Sequence, residues 1–253
     1  MLSSHFTGRN DELQQIDRAF GAFSDGLPAR CVIHGMPGVG KTQLALRHAR
    51  LASVGNQDMY IFWVSAGSVE KLARDFSKVA DLLCPSRQHA LDQVTKLNLA
   101  RAWLEDSTTK RKWLLILDDV TRETMSMVLA DILPRRNSDG RLLFTTRTAT
   151  IADSFTIPDQ SLAIALQPPG IDDAVAMLTA GAEMGGGKMK KASNADLECL
   201  VRTVGNLPLA IDQAASYFKG YASSTKELLD LYKGEEIVEV FAKHRIIFEM
   251  ITG

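Results

Sequence analysis

The protein has 253 residues, a length typical of one or two domains. Apolar residues make up 45% of the chain and charged residues 23%, which excludes disorder of the chain as a whole. The formal net charge of −1 excludes a global electrostatic field that would draw the protein to nucleic acid or to an anionic membrane. We therefore expect a globular protein without a nucleic-acid or membrane partner.

The three cysteines, Cys31, Cys84 and Cys199, lie far apart in the sequence. They form no CxxC pair, so neither a structural zinc site nor a disulfide framework is expected. No apolar run reaches the roughly 20 residues of a membrane span, and the first residues lack a signal-peptide pattern. The sequence predicts buried free thiols in a reducing compartment, with a cytoplasmic location.

Short apolar runs alternate with amphipathic stretches along the first two thirds of the chain. The runs occupy residues 31–34, 60–64, 113–117, 142–145 and 162–166. Helical spacing of apolar residues lies between them, around residues 13–23, 41–53, 69–83 and 91–104. Buried strands separated by helices are typical of a parallel sheet covered on both faces. We predict a five-stranded α/β domain over residues 1–166.

The pattern changes after the Gln-Pro-Pro-Gly sequence at residues 167–170, beyond which no strand is predicted. Helical spacing then predicts a small all-helical domain over residues 167–233. Residues 234–253 are interpreted as a helical tail that begins a further, incomplete domain. The glycine-rich and lysine-rich residues 185–191 predict either a solvated connector or a contact with phosphate or nucleic acid.

A phosphate-binding pattern follows the first predicted strand, because residues 35–42 fit GxxxxGK[ST]. Glycines let backbone amides curl around a phosphate, and the helix that follows adds its positive N-terminal end. Lys41 would reach the β- and γ-phosphates, and the Thr42 hydroxyl would bind Mg²⁺. A glycine-rich turn without a ligand is the structural alternative. The candidate nucleotide-binding residues here are Gly35, Pro37, Gly38, Val39, Gly40, Lys41, Thr42 and Gln43.

Acidic and basic side chains follow two further predicted strands. Asp118 and Asp119 end the run at 113–117, at the sheet edge where open parallel sheets bind their ligands. Asp118 would hold Mg²⁺, and Asp119 would polarise water near the γ-phosphate. Arg147, after the run at 142–145, is a candidate sensor of the γ-phosphate. The structural alternatives are a strand-end turn for the two aspartates and an ordinary surface arginine for Arg147.

The chain resembles the NB-ARC family of signal-transducing STAND ATPases, the nucleotide-binding cores of plant resistance proteins, apoptotic adaptors and fungal NLR-like receptors. The resemblance rests on motifs in the family's order: residues 6–13, the phosphate-binding loop through Ala45, residues 62–65, 114–120, 143–147, and the GLPL-like residues 205–210. It implies a P-loop NTPase fold that binds ADP or ATP with Mg²⁺. The amino-acid sequence at residues 43–45 and 211–214 is most similar to that of fungal members.

The same resemblance implies a second half of the site. In the family, the segment before the first helix holds the adenine, which carries Thr7 and Arg9 over as binding residues. The proline of GLPL packs on the base, which carries over Pro208. The resemblance also implies a signalling switch, relevant to innate immunity, whose partners are other domains or protomers of the same receptor class. Family members continue into a winged-helix domain, and we expect this sequence to end before it.

Three functions are compatible with these residues. The first is a molecular switch, ADP-bound at rest and ATP-bound when active, with slow hydrolysis by Lys41, Asp119 and Arg147. The second is an AAA+-type ATPase acting on DNA or protein, which would need a sensor arginine such as Arg202. The third is a scaffold that binds nucleotide without turnover. The intact Lys41, Asp118 and Asp119 favour the first.

Overall fold

The structure is a computed structural model that describes residues 8–21, 26–83, 91–108, 110–156, 161–183, 193–221 and 225–233. The predictions for Thr7, Cys84, the basic segment 185–191 and the tail 234–253 lie outside these residues. None of the helices in the described part of the chain is long and apolar enough to cross a lipid bilayer.

A five-stranded parallel sheet forms the centre of the first part of the chain, with strand order β2-β3-β4-β1-β5. Its strands are β1 (Ala29–His34), β2 (Tyr60–Ser65), β3 (Trp113–Val120), β4 (Gly140–Thr146) and β5 (Ser161–Ala165). Each strand contains or closely overlaps one of the predicted apolar runs. The predicted α/β fold with a five-stranded parallel sheet is therefore confirmed.

Helices connect and flank the strands. They are α1 (Asn10–Gly21), α2 (Lys41–Gly55), α3 (Val69–Leu83), α4 (Gln93–Glu105), α5 (Arg122–Met127) and α6 (Ala149–Phe155). Ser68 precedes α3 and its Oγ accepts a hydrogen bond from the Lys71 N–H at 3.3 Å, as expected of an N-cap. A π-helical turn at Val128–Ile132 follows α5 and has no counterpart in the sequence prediction.

The central strands are buried because their apolar residues face helices on either side. In β3, Leu114, Leu115, Ile116 and Leu117 have no exposed surface. Leu115 and Leu117 pack in one apolar cluster with residues of α3 and α4. This burial of consecutive residues, rather than of alternate ones, is the property that the unbroken apolar runs predicted.

Four helices form a second apolar cluster: α7 (Ile171–Glu183), α8 (Asn194–Thr203), α9 (Pro208–Tyr221) and α10 (Thr225–Lys233). Ser193 caps α8 in a reciprocal capping box with Asp196, whose backbone N–H lies 3.2 Å from the Ser193 Oγ. The core of this cluster is made by apolar side chains such as Leu178, Leu200 and Phe218.

The chain divides into two compact units. One comprises Arg9–Gly35 and Lys41–Leu166 and contains the sheet. The other comprises the described residues of Gln167–Gly253 together with Gly8 and Met36–Gly40.

Cys31 is buried in β1, as predicted, and burial raises the pKa of its thiol to about 12. The prediction that Cys199 is buried was wrong, because this side chain is exposed on α8. The buried face of α8 carries Leu197, Leu200 and Val201, and Cys199 lies off that face. The helical spacing of leucine and valine in this segment already indicated which face is buried.

Gly140 lies opposite Trp113 in the pairing of β4 with β3. Trp113 has no exposed surface, and its Nε1–H donates to the Leu104 carbonyl at 3.0 Å. A Cβ atom at Gly140 would overlap the Trp113 indole. The sheet therefore needs glycine at position 140 to make room for the tryptophan.

Gly140→Ala is expected to lower the free energy of unfolding by about 1–3 kcal/mol, because the added methyl group overpacks a closed core. Urea unfolding followed by tryptophan fluorescence measures this loss. Gly55→Ala at the end of α2 is the matched control, since a Cβ there meets no atom within 4 Å. Equal unfolding midpoints for the two variants would contradict the steric argument.

Candidate functional site

The glycine-rich loop joins the end of β1 to the start of α2, as the phosphate-binding pattern predicts. Gly38 and Gly40 have φ angles of 77° and 101°, in the left-handed region that favours glycine. Val39 between them is fully buried, and its N–H donates to the Met36 carbonyl at 3.4 Å. The loop thus turns tightly around a buried valine and leads into a helix N-terminus, a geometry suited to binding an anion.

Lys41 is the first residue of α2 and is only 9% exposed. Its Nζ donates to the Gly35 carbonyl at 2.8 Å, so the side chain folds back towards the end of β1. Burial lowers the pKa of Lys41, while the carboxylates of Asp119 and Asp118 act in the opposite direction. The lysine therefore lies in the electrostatic field of both acidic residues.

Thr42 and Asp118 are 76 positions apart in the sequence and are joined in the structure. The Thr42 hydroxyl donates to Asp118 Oδ1 at 2.9 Å, and the Thr145 hydroxyl donates to the same oxygen at 2.7 Å. Burial raises the pKa of Asp118, and these two hydrogen bonds oppose the shift. Hydroxyl and carboxylate oxygens are the hard ligands that Mg²⁺ takes, so the donor set fits the predicted ion.

Asp119 interrupts the regular pairing of β3 with β4. The register shifts between Leu117 and Val120, and Asp119 has a φ angle of 61°, which aspartate tolerates better than most residues. Its N–H donates to Thr145 Oγ1 at 2.8 Å, and its Oδ1 lies 3.4 Å from Arg147 Nε. The bulge thus places Asp119 beside Arg147, with both side chains about two-fifths exposed.

Thr7, Arg9 and Pro208 are the residues predicted to hold the adenine, and Gln43 was predicted as a nucleotide-binding residue of the glycine-rich segment. Thr7 is outside the described residues. Arg9 precedes α1 with a φ angle of 64°, and its guanidinium donates to Glu12 Oε1 at 2.7 Å. Gln43 lies in the first turn of α2, next to Thr42. Their contacts with a nucleotide stay a prediction.

Pro208 begins α9, in the compact unit that also contains Met36–Gly40. Within that unit, the Leu209 N–H donates to the Gly38 carbonyl at 3.2 Å. A Cβ atom built on Gly40 would lie 3.8 Å from Pro208 Cγ. The GLPL-like segment and the glycine-rich loop are therefore neighbours in this unit. Arg202 is exposed on α8, and its Nη2 lies 4.0 Å from Glu198 Oε2.

Two features of the site were missed by the sequence prediction. Thr145 bonds both aspartates, although only Arg147 of its segment was predicted to act in the site. The Ala66 N–H, after β2, donates to the Asp118 carbonyl at 2.7 Å and so ties a third strand end to the aspartate pair. The signal available for Thr145 was its hydroxyl at the end of a strand predicted to lie in the same sheet as the strand that carries Asp118.

The profile of the NB-ARC domain matches residues 14–181, about two thirds of the chain. The chain belongs to the NB-ARC family. This NB-ARC chain is also 30% identical, over 251 residues, to a nucleotide-binding leucine-rich repeat (NLR)-like protein of Hyaloscypha variabilis. That alignment covers 93% of this chain and 24% of the relative, so the chain spans about a quarter of the length of the protein it matches.

Solved structures similar to the NB-ARC chain share its fold at low sequence identity. The crystal structure of Cdc6p from Pyrobaculum aerophilum has a TM-score of 0.58 at 16% identity, covering 84% of this chain and 61% of that one. Drosophila ORC bound to DNA has a TM-score of 0.58 at 14% identity, covering 100% of this chain and 63% of that one. These likenesses show the fold alone, and the family match shows a nucleotide-binding P-loop domain similar to that of an NLR-like protein.

Proposed function

We propose that this chain is the switch core of an NLR-like signalling ATPase, which holds ADP at rest and ATP when active. The observation that carries the proposal is the set of bonds at the start of α2, where Lys41 bonds the Gly35 carbonyl and Thr42 bonds Asp118. A basic side chain, a hydroxyl and a half-buried carboxylate are the groups that a nucleotide with its divalent cation requires at such a site.

The binding roles follow from the chemistry of each side chain. Lys41 would exchange its bond with the Gly35 carbonyl for bonds with the β- and γ-phosphate oxygens. Thr42 and Asp118 would hold Mg²⁺, whose charge stabilises the phosphates when it is bound. The amides of residues 38–42 would donate to phosphate oxygens at the start of α2. These contacts recognise the phosphates and leave recognition of the base to Thr7, Arg9 and Pro208.

Slow hydrolysis is proposed to depend on Asp119. Its carboxylate would accept a hydrogen bond from a water molecule and orient that water towards the γ-phosphorus. Arg147, 3.4 Å from Asp119, restrains the carboxylate in the described geometry. An arginine in that position would also bond the γ-phosphate and so distinguish ATP from ADP.

The sensor role predicts that Arg147→Ala weakens ATP binding by about tenfold, the effect of one charge-assisted hydrogen bond, and leaves ADP binding unchanged. Calorimetric titration with each nucleotide in Mg²⁺ measures both affinities. Arg74→Ala is the control, since Arg74 is an exposed arginine of α3 paired with Asp75 and should affect neither nucleotide. Equal losses for ATP and ADP in Arg147→Ala would contradict the sensor role.

The switch also needs a second domain that responds to the nucleotide. We propose that residues 167–233 form this helical domain and that residues 234–253 begin a further one. Contacts of Pro208 with the base would make the position of the helices depend on the bound nucleotide. Partners in this proposal are other domains or protomers of the same receptor class, acting in signal transduction and innate immunity.

A cytoplasmic location is proposed from the chemistry of the cysteines. The described cysteines, Cys31 and Cys199, are both free thiols. Free thiols persist in reducing compartments, whereas extracellular domains tend to form disulfides.

Binding of ATP and ADP to the purified protein, followed by release of inorganic phosphate, tests the proposed function. We expect saturable binding of both nucleotides, dependence of ATP binding on Mg²⁺, and slow phosphate release. Binding without measurable release would favour the scaffold function instead. No saturable binding of either nucleotide would contradict the proposal.

A further inference from the structure

Thr145 connects the two aspartates of the site through one hydroxyl group. Its Oγ1 donates to Asp118 Oδ1 at 2.7 Å and accepts from the Asp119 N–H at 2.8 Å. The side chain is only 1% exposed. A buried hydroxyl with two short hydrogen bonds and little room to move is a geometric constraint on both of its partners.

The direction of the two hydrogen bonds is determined by chemistry. A hydroxyl carries one proton and two lone pairs, whereas a carboxylate only accepts and a backbone N–H only donates. The Thr145 hydroxyl must therefore donate its hydrogen bond to the ionised Asp118 carboxylate. Its lone pairs then accept the hydrogen bond from the Asp119 N–H. Losing the hydroxyl would remove an acceptor from a backbone N–H and a donor from a carboxylate at the same time.

Asp119 needs such a constraint because its backbone lies outside the regular ladder. The pairing of β3 with β4 shifts register between Leu117 and Val120, and the φ angle of Asp119 is 61°. A non-glycine residue keeps a left-handed conformation only where its surroundings hold it there. The hydrogen bond from the Asp119 N–H to Thr145 Oγ1 holds the backbone in this conformation, in which Asp119 Oδ1 lies 3.4 Å from Arg147 Nε.

We propose that Thr145 is a positioning residue that couples the metal ligand Asp118 to the water-orienting Asp119. It touches neither nucleotide nor metal in this proposal and acts by fixing both carboxylates relative to each other. This inference rests on the proposed function, because it assigns a role within the same nucleotide site. Its consequence is that Mg²⁺ binding and the geometry of Asp119 depend on one hydroxyl of β4.

Thr146, the next residue of β4, provides a matched comparison within the same strand. It is fully buried, and its Oγ1 donates to the Val120 carbonyl at 2.8 Å. The two threonines thus share residue type, strand and burial, and both bond to β3. They differ because Thr145 bonds the aspartate pair, whereas Thr146 bonds only a backbone carbonyl beyond it.

The experiment compares Thr145→Val, Thr145→Ser and Thr146→Val with the wild-type protein. Affinity for a fluorescent ATP analogue is measured with Mg²⁺ and with EDTA, and thermal unfolding is recorded for every variant. We expect Thr145→Val to reduce the gain in affinity from Mg²⁺ by about tenfold, the effect of one hydrogen bond to a charged group. Its affinity in EDTA should stay within about twofold of wild type, because Lys41 and the loop are untouched.

Thr145→Ser should restore the gain from Mg²⁺, since it keeps the hydroxyl. Thr146→Val should lower the unfolding temperature but keep the full gain, which separates a positioning role from a structural one. A wild-type gain in Thr145→Val, or an equal loss in Thr146→Val, would overturn the inference while leaving the proposed function intact. Failure of the wild-type protein to bind the analogue would instead contradict the proposed function, and this inference with it.

Discussion

Lys41→Ala is expected to weaken binding of both ATP and ADP by roughly 10–150-fold, because it removes charge-assisted bonds worth about 1.5–3 kcal/mol to phosphate. The expected loss of affinity is large because Lys41 is buried at the start of α2, where water screens its charge poorly. The variant loses the hydrogen bond to the Gly35 carbonyl and should still fold, because alanine is a strong helix former at the start of α2.

Equilibrium titration with each nucleotide in Mg²⁺ measures this effect. Lys71→Ala is the control, because it removes the same charge from an exposed position of α3. We expect Lys71→Ala to bind both nucleotides as the wild type does. If Lys41→Ala also bound them with wild-type affinity, the assignment of the phosphate site would be wrong.

Asp119→Asn is expected to bind ATP normally and to hydrolyse it roughly 100–10,000-fold more slowly, the range that positioned acid–base groups contribute. Asparagine has the shape of aspartate and also tolerates a left-handed backbone, so the bulge at φ 61° should be preserved. What changes is the charge, since an amide oxygen polarises water far less than a carboxylate does.

Single-turnover phosphate release, with nucleotide affinity measured on the same samples, separates the loss of hydrolysis from a loss of binding. Asp153→Asn is the control, because Asp153 is an exposed aspartate of α6. It should release phosphate at the wild-type rate. Turnover by Asp119→Asn at the wild-type rate would show that another group orients the water.

The strands of this protein could be predicted because each is a run of apolar residues between two helices. Trp113–Leu117 is buried on both faces, and burial is what an unbroken apolar run encodes. The end of β3 was not predicted, since the strand continues through two aspartates to Val120. That continuation depends on pairing with β4 around a bulge, which no local pattern in residues 113–120 indicates.

In the candidate site too, the features encoded by contiguous residues could be predicted, and those that depend on strand pairing could not. The loop at residues 35–42 is contiguous in the sequence, and its glycines have the positive φ angles that its pattern implies. The bridging role of Thr145 depends on the register of β4 against β3, and the left-handed Asp119 depends on the bulge between them. Both are tertiary features, which explains why sequence reasoning identified the aspartates and not the residue that joins them.

The family match concerns a domain of this chain, whereas the proposed switch concerns signalling by a longer protein. The match to the NB-ARC domain covers the sheet and the first helix of the second cluster. The NLR-like relative is about four times as long as this chain, and the alignment covers 24% of it. Nucleotide binding is therefore the property of this chain on which the proposed signalling role rests.

The most direct measurement is the identification, by chromatography, of nucleotide released from the heat-denatured purified protein, with Lys41→Ala prepared in parallel. We predict stoichiometric ADP from the wild-type protein and none from Lys41→Ala, as expected of a switch that retains its product at the glycine-rich loop. A wild-type protein that releases no nucleotide, and that shows no saturable binding when titrated with ATP and Mg²⁺, would contradict the account.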